Sequence, residues 1–254
     1  MIFVKPIKFK TKKKIFNLFD TLISSKYKFK DHDILVLSSK FVSMSEGSVL
    51  DLRKIRPSSK AKKLAKTYQM EPAFVEVVIR ESDVIFGGLP GFLLTIKNGI
   101  LAPNAGIDKS NIPLHKIICL PLDPFLSAEN LRMEFLVRSG IKVGIVISDS
   151  RLMPTRIGTT GVAIGCSGIE PVEDQRGKKD LFGHIMKYTL KATADSLATM
   201  GTFVMGESNE SVPLVVIRGS NLSFTDRKLS WKDFAIDYQT DLYFRGIQNF
   251  NPIK

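Results

Sequence analysis

Two polar stretches that each carry an aspartate follow apolar runs in this chain, and that layout restricts the fold more than any other feature. Val143-Gly-Ile-Val-Ile147 is rich in β-branched residues and passes directly into Ser148-Asp149-Ser150. A small polar stretch, Asn104-Ala-Gly-Ile-Asp-Lys-Ser-Asn111, lies between the runs Phe92-Leu-Leu-Thr-Ile-Lys97 and Ile117-Ile-Cys-Leu-Pro-Leu122. Each run has the length and bounding turn residues of a buried strand. A carboxylate at a strand end is held rigidly, opens to a cleft and suits a hard divalent cation. Asp108 and Asp149 are therefore expected to meet at one metal–phosphate site.

The rest of the chain alternates strand-like and helix-like patterns. Strands are expected over 2–9, 33–38, 162–165 and 214–217, with a strand over 142–148 leading into Asp149. Helices are expected over 13–25, from Ser58 or Ser59 to about Met70, over 72–80 with Pro72 in the first turn, and from Ser127 to Gly140. The longest is expected from Asp180 or Gly183 to about Met200, and a last one over 231–244. Residues 39–47 read as a polar segment, 87–91 as a glycine–proline turn, 151–161 as a loop and 205–213 as a polar loop. This interspersion gives an α+β class with mixed and antiparallel sheets and flanking helices, not a Rossmann layout. No repeat or linker divides residues 1–254, which read as one unit with room for two lobes.

At 254 residues the chain can bury a full core without disulfide staples. The two cysteines, Cys119 and Cys166, sit in apolar runs and are expected to be buried free thiols of a cytoplasmic protein. No apolar run reaches the ~18–20 residues of a membrane span, and the N-terminus has no signal-peptide pattern. The net charge of +12 includes six lysines among the first 14 residues: Lys5, Lys8, Lys10, Lys12, Lys13 and Lys14. Such an excess reads first as a solvated basic face, and it can also attract polyanionic small molecules. No basic stretch is interleaved with aromatics in the way of single-strand binders, so nucleic acid is not expected as a partner.

Walker, dinucleotide-binding, serine-elbow and zinc-finger spacings are absent. His32, His115 and His184 are scattered along the chain. What remains is a set of loop carboxylates, namely Asp108, Asp149, Asp174, Asp180 and Glu207. Their pattern on a basic chain suits Mg²⁺ or Mn²⁺ bridging phosphate oxygens.

At these residues the chain resembles the γ-glutamyl ligases of coenzyme F-420 biosynthesis. The matching pieces are Ser39-Lys-x-x-Ser-x-x-Glu-Gly47, Asn104-Ala-Gly-Ile-Asp-x-Ser-Asn111, Leu122-Asp-Pro and Ser148-Asp149. They continue through Val162-Ala-Ile-Gly165, Asp174-x-Arg-Gly177, Asp180-x-x-Gly183, Ala194-Asp195, Met205-Gly-Glu207 and Pro213-x-Val-Val-x-Arg-Gly219. The ordered set spans about residues 30–220. The resemblance implies a homodimer that couples GTP hydrolysis to amide formation. L-glutamate is joined to a lactyl-phospho-deazaflavin, the coenzyme F-420 precursor, with Mn²⁺ or Mg²⁺ and often K⁺. It implies Asp108 and Asp149 as catalytic metal ligands, Ser150 and Glu207 as further ligands, and Ser39, Lys40 and Asn111 as nucleotide contacts. Arg156 and Arg176 are candidates for a phosphate or carboxylate clamp.

Some positions depart from the family pattern. Met44 stands where a lysine is usual, the nucleotide loop after the first strand is replaced by lysines, and His184-Ile185 replaces Arg-Glu. Lys10, Lys12 and Lys13 are candidates for the missing phosphate contact. Two alternatives stay open at this level: a ligase of the same fold acting on another acceptor such as a folate, and a non-catalytic nucleotide or polyanion binder.

Overall fold

The computed structural model describes residues 1–10 and 15–248. In chain order the elements are β1 (Phe3–Ile7), α1 (Leu18–Ile23), β2 (Ile34–Ser38), α2 (Ser39–Glu46), β3 (Val49–Asp51), α3 (Ser59–Thr67), α4 (Pro72–Glu81), β4 (Val84–Leu89), β5 (Phe92–Lys97) and β6 (Ile100–Pro103). They continue with β7 (Lys116–Ile118), α5 (Pro124–Ser139), β8 (Gly144–Leu152), β9 (Thr159–Ser167), β10 (Val172–Asp174), β11 (Leu190–Ala192), α6 (Thr193–Met205), β12 (Leu214–Arg218) and α7 (Leu242–Gln248). The class is α+β as expected, with one five-stranded sheet of order β1-β12-β2-β8-β9. Only β2 and β8 run parallel in it; the other pairs are antiparallel.

The central strands are apolar throughout because the sheet is covered on both faces. Leu35 and Leu37 of β2, with Ile145 and Ile147 of β8, point to one side and pack on α5 through Leu131 and Phe135. Ile34 and Val36, with Val146, Val215 and Ile217, point to the other side and pack on Leu197 and Ala198 of α6. A separate core joins α3 and α4 to β5 and β7 through Phe74, Val75, Val78, Leu93 and Ile117. Cys119 and Cys166 are buried and unbridged, as their apolar settings imply.

Several elements differ from the sequence expectation. Residues 39–46 form helix α2, whose serines hid its buried face of Phe41, Val42 and Ser43; Gly47 closes it in the left-handed region (φ 79). Gly87 and Gly88 belong to strand β4, and only the turn that follows is irregular. Helix α5 starts at Pro124, three residues early, because the Asp123 carboxylate caps it through the Leu126 N–H. It is the longest helix among the described residues. The helix expected from 180 is not formed. Asp180 Oδ1 accepts the N–H groups of Phe182 and His184, which closes a tight turn instead. Helix α6 starts only at Thr193. The stretch 231–244 divides into a 3₁₀ turn at Trp231–Asp233 and the start of α7. Helix α1 is confined to six residues behind its Asn17 cap, and the beginning of the helix expected from 13 lies outside the described residues. Strand β8 does not end at Ser148 but continues to Leu152, and β9 starts at Thr159, so the loop expected over 151–161 is the tip of a hairpin.

Candidate active site

The parallel pairing of β2 and β8 sets Ser38 beside Ser148. The next residue on each strand is then a neighbour of the other, and Ser39, opening α2, donates its Oγ–H to Asp149 Oδ1 at 2.6 Å. A bulge supports this geometry. Between Ile147 and Ser148 the partner on β9 jumps from Gly165 to Ala163, leaving Ile164 as the extra residue. Such an insertion bends the strand and re-aims the side chains after it. Behind the site Ser148 Oγ lies 2.8 Å from Thr202 Oγ1, which ties β8 to α6.

Asp108 approaches from a different direction. Its backbone pairs with Ile118 through two 3.0 Å hydrogen bonds, which anchors the loop to the end of β7. Its Oδ1 accepts the Ser110 N–H (2.6 Å) and its Oδ2 the Ser110 hydroxyl (2.9 Å). Lys40, one residue along α2 from Ser39, reaches Asp108 Oδ2 at 2.6 Å and Ser110 Oγ at 2.7 Å. Burial alone pushes the Asp108 pKa up. The hydrogen bonds from Lys40 and Ser110, with the Lys40 charge, outweigh burial and hold it below the usual carboxylate value. Asp108 therefore stays ionised at neutral pH.

The two carboxylates thus face one cleft of about 650 Å³, joined by adjacent residues of α2. The other expected residues fall into place around it. Ser150 donates to Glu207 Oε1 at 2.8 Å, and Thr159 Oγ1 lies 3.3 Å from the same oxygen. Asn111, in the left-handed region at φ 55, donates from Nδ2 to the Ser208 carbonyl at 2.8 Å, so the 104–111 loop and the 206–213 loop close on each other. Lys10 and Met44 also line the cleft, whereas Lys12 and Lys13 lie outside the described residues. Arg156 and Arg176, the candidates for a clamp, are not brought together, and neither lines this cleft. Arg176 is paired with Asp174 at 2.7 Å on the turn after β10, and Arg156 lines a different cavity. The reason is that Arg156 sits at the tip of the β8–β9 hairpin rather than in a loop folding back on the site.

Arg151 was missed. It is only 3% exposed, and its Nη2 lies 3.2 Å from Asp149 Oδ2. That ion pair lacks hydrogen-bond alignment, and both Nε and Nη2 have no hydrogen-bond partner. Period-two alternation would have found it, because Asp149 and Arg151 share a face once β8 is extended past Ser148. Ser110 was visible only through its spacing to Asp108, which is that of an aspartate turn.

Among the described residues no three carboxylate, histidine or cysteine side chains lie close enough to hold an ion by themselves. The donors present are carboxylate and hydroxyl oxygens: Asp108, Asp149 and Glu207 with Ser39 and Ser150. They fit a hard cation that takes one or two protein carboxylates and completes its shell with phosphate oxygens and water. None of the three histidines lines the cleft; His32 meets Phe224 edge to face and His184 contacts Asp180.

A family model described as F420-0:Gamma-glutamyl ligase matches residues 9–219. The coenzyme F420:L-glutamate ligase of Methanocaldococcus jannaschii is 42% identical over 205 residues, covering 80% of this chain and 82% of that protein. Those of Methanopyrus kandleri and Archaeoglobus fulgidus are 39% and 38% identical over 199 and 202 residues. They cover 78% and 80% of this chain, and 79% and 81% of their own lengths.

Proposed function

The chain belongs to the F420-0:gamma-glutamyl ligase family, and from that premise we propose that it joins L-glutamate to a deazaflavin acceptor of the coenzyme F420 type. The observation that carries the reading is the convergence of Lys40, Asp108, Asp149 and Glu207 on one cleft, on a chain about 40% identical to ligases of that name. The same likeness favours the deazaflavin over a folate and an enzyme over a passive anion binder.

The proposed nucleotide is GTP, and the proposed route is an acyl phosphate. An oxygen of the acceptor carboxylate forms a bond to the γ-phosphorus while the bond to the β–γ bridging oxygen breaks and the nucleoside diphosphate departs. The amine of glutamate then adds to the activated carbonyl, loses a proton, and phosphate leaves with the C–O bonding pair. Both steps gather negative charge in a small volume, so positioning and charge compensation dominate catalysis. Lys40 supplies a cation at the mouth of α2, and Arg151 supplies a buried guanidinium beside Asp149. Ser39 and Asn111 are proposed to contact the nucleotide. Asp108 and Asp149, with Ser150 and Glu207, are proposed to hold Mn²⁺ or Mg²⁺, and K⁺ is a further candidate. A divalent ion bound there would offset the charge of the phosphate oxygens.

A homodimer and a cytoplasmic location belong to the same proposal. Exposed Leu181, Phe182, Ile185 and Tyr188 on the arm between β10 and β11 support a subunit contact. No helix among the described residues is long and apolar enough to cross a membrane. The test is incorporation of labelled glutamate into the deazaflavin lacking glutamate, with GTP or ATP and Mn²⁺ or Mg²⁺. Product is expected, with GTP the better donor, and Asp108→Ala is expected to lower the rate roughly 10²–10³-fold, the scale of losing one preorganised electrostatic element. Absence of product from folded protein with either nucleotide would refute the reading.

A further inference from the structure

Beside the cleft lies a second, larger cavity of about 880 Å³. Both volumes are within the roughly 300–1,000 Å³ of small-molecule sites. The two share a wall at Arg151, Leu152 and Thr159 and so adjoin along β8 and the start of β9. Their chemistry differs. The cleft presents carboxylates and lysines. The second cavity carries two arginines, Arg151 and Arg156, and two carboxylates, Asp195 and Asp241, but is also lined by the apolar hairpin tip, where Met153 and Ile157 are exposed, and by Phe234, Tyr238, Tyr243 and Phe244. Tyr238, Phe244 and Phe86 form a ring cluster with centroids 5.0–5.8 Å apart. Exposed apolar side chains facing each other across one cavity mark a binding surface. The aromatic wall comes from the chain beyond residue 219, where the family match ends.

Two cations accompany this cavity. Arg156 makes no side-chain hydrogen bond or ion pair among the described residues. Arg151, at the junction, is buried and paired in charge with Asp149, but two of its guanidinium nitrogens lack hydrogen-bond partners, so a ligand acceptor would supply bonds that the protein does not. An anion passing from one cavity to the other would satisfy it.

We propose that the second cavity receives the planar deazaflavin ring of the acceptor, stacked against the aromatic wall at residues 234–244, while its phosphodiester lies by Arg151 and Arg156. The inference rests on the ligase reading for the identity of the ring and goes beyond it in placing the acceptor. An acceptor with a reactive carboxylate at one end and a flat ring at the other fits two adjoining sites, one carrying Lys40 with Asp108 and Asp149 and the other carrying the aromatic side chains. This molecule has them, in contact, with a guanidinium between. Aromatic rings gain from offset or edge-to-face contact beyond the area they bury.

The test is a titration of the full-length protein with the deazaflavin lacking glutamate, read by quenching of the ring's fluorescence, with no nucleotide or glutamate present. Ile157→Asp alters a fully exposed side chain and costs no packing; Tyr243→Ala alters the opposite wall. Each is expected to raise the acceptor Kd about tenfold, and the acceptor KM with it, while the KM values for nucleotide and glutamate stay within about twofold. Arg156→Gln should weaken the phosphodiester-bearing acceptor but not a deazaflavin ring without phosphate. Unchanged acceptor Kd in both wall variants, with product still formed, overturns the placement and leaves the ligase reading intact. Saturable quenching that is lost in the variants, without glutamate incorporation by the unmodified protein, supports the cavity and refutes the ligase. No saturable quenching by the unmodified protein overturns the placement. Ile157→Asp that dissociates an oligomer in light scattering without changing the acceptor Kd also overturns it, assigning the hairpin tip to a subunit contact.

Discussion

Asp149 projects from β8 one residue past the two-sided part of the strand, still paired with β9, between the fully buried sheet core and an ion pair with Arg151; its side chain is 18% exposed. Asp108, across the same cleft, projects from a loop that begins with three successive left-handed residues, Asn104, Ala105 and Gly106 (φ 52, 56 and 71), and its side chain is 42% exposed. The first position is set by the burial of Ile145, Ile147 and their neighbours, which is contributed by many residues at once. The second rests on fewer buried residues, chiefly Ala105 and Ile107, and on local hydrogen bonds, notably from Leu93 N–H to Asn104 Oδ1 and from Ala105 N–H to Thr95 Oγ1, acting against backbone strain, and residues 109–111 beyond it are exposed. The cleft therefore has a firm wall and a compliant one. Local opening draws on segments with little buried contact, so the nucleotide and acceptor are expected to settle against the firm wall and draw the compliant wall in.

The largest expected effect separates the walls by reading activity and stability together. Asp149→Ala and Asp108→Ala should each lower glutamate ligation by roughly 10²–10³-fold. Their stabilities should diverge. Removing Asp149 leaves the Arg151 guanidinium buried without its anion, at a cost of about 3 kcal/mol, or a fall in Tm of about 10 °C at this size. Removing Asp108 frees a partly exposed Lys40, which costs less than about 1 kcal/mol. Equal falls in Tm would break the distinction.

Glycines behind each wall give the next largest effect. A Cβ on Gly201 would lie 2.8 Å from Val36 Cβ and closer still to its Cγ1, so Gly201→Ala must push α6 off the sheet. Overpacking of this kind costs about 1–3 kcal/mol, seen in thermal unfolding, with activity of the remaining folded protein largely retained. A Cβ on Gly106 would meet Leu120 Cδ1 at 2.8 Å and Arg151 Nη1 at 3.0 Å, in a backbone conformation that disfavours side chains. Gly106→Ala should cost about 1–2 kcal/mol yet lower kcat more than Gly201→Ala does, because it moves Asp108 relative to Arg151. The opposite order of kcat losses would show that the sheet, not the loop, sets the alignment of the two carboxylates.

The same division explains what could be read from the amino-acid order. Strands β2, β8 and β12 were legible because burial on both faces makes them continuous apolar runs, and the ends of α3, α4 and α5 were legible where Ser58, Pro72 and Gly140 carry cap or turn chemistry. Helix α2 was not, since its buried face includes Ser43 and its serines also suit a loop. At the site, Ser39, Lys40, Asp108, Asn111, Asp149, Ser150 and Glu207 all line one cleft. Their convergence follows from the parallel β2–β8 pairing, a contact 110 residues apart in the chain that no local pattern encodes. Arg156 and Arg176 do not line the cleft, for the complementary reason. Arg156 lies on a hairpin tip whose direction depends on strand lengths, and β8 and β9 are longer than their apolar runs suggest; Arg176 is held by Asp174 on the turn after β10.

Acid titration supplies a smaller effect with a definite sign. Asp108 has a folded pKa held below its ordinary 3.8, so its stabilising contribution is complete above pH 3.8 and is lost as pH falls through the lower folded value. Asp195, on α6 beneath the second cavity, is shifted the other way: burial raises its pKa, offset only in part by the Ala163 N–H. Its charged form is a penalty above the raised value, and acidification toward pH 3.8 removes that penalty. Asp195→Asn should therefore raise the Tm at neutral pH and flatten the profile just above pH 4, whereas Asp108→Asn should change the profile only below it. Urea unfolding as a function of pH separates the two; a common window for both variants would mean the walls titrate as one unit.

The smallest effect comes from a probe that perturbs neither wall. Cys119 follows β7 on the compliant side, and Cys166 lies in β9 on the firm side. Burial pushes the first thiol up to about 11 and the second to about 12, so at pH 8 both are overwhelmingly protonated and react with a disulfide reagent only when the structure opens. Native labelling then measures opening rather than intrinsic reactivity. In Cys166→Ala the remaining Cys119 should label severalfold faster than Cys166 does in Cys119→Ala, because opening around β7 need not expose the central sheet. Saturating nucleotide should slow Cys119 and leave Cys166 unchanged, since only the compliant wall is drawn in by the ligand. Equal rates, slowed equally, would mean that both walls open in one cooperative step and that the 104–111 loop is as firmly held as the sheet it faces.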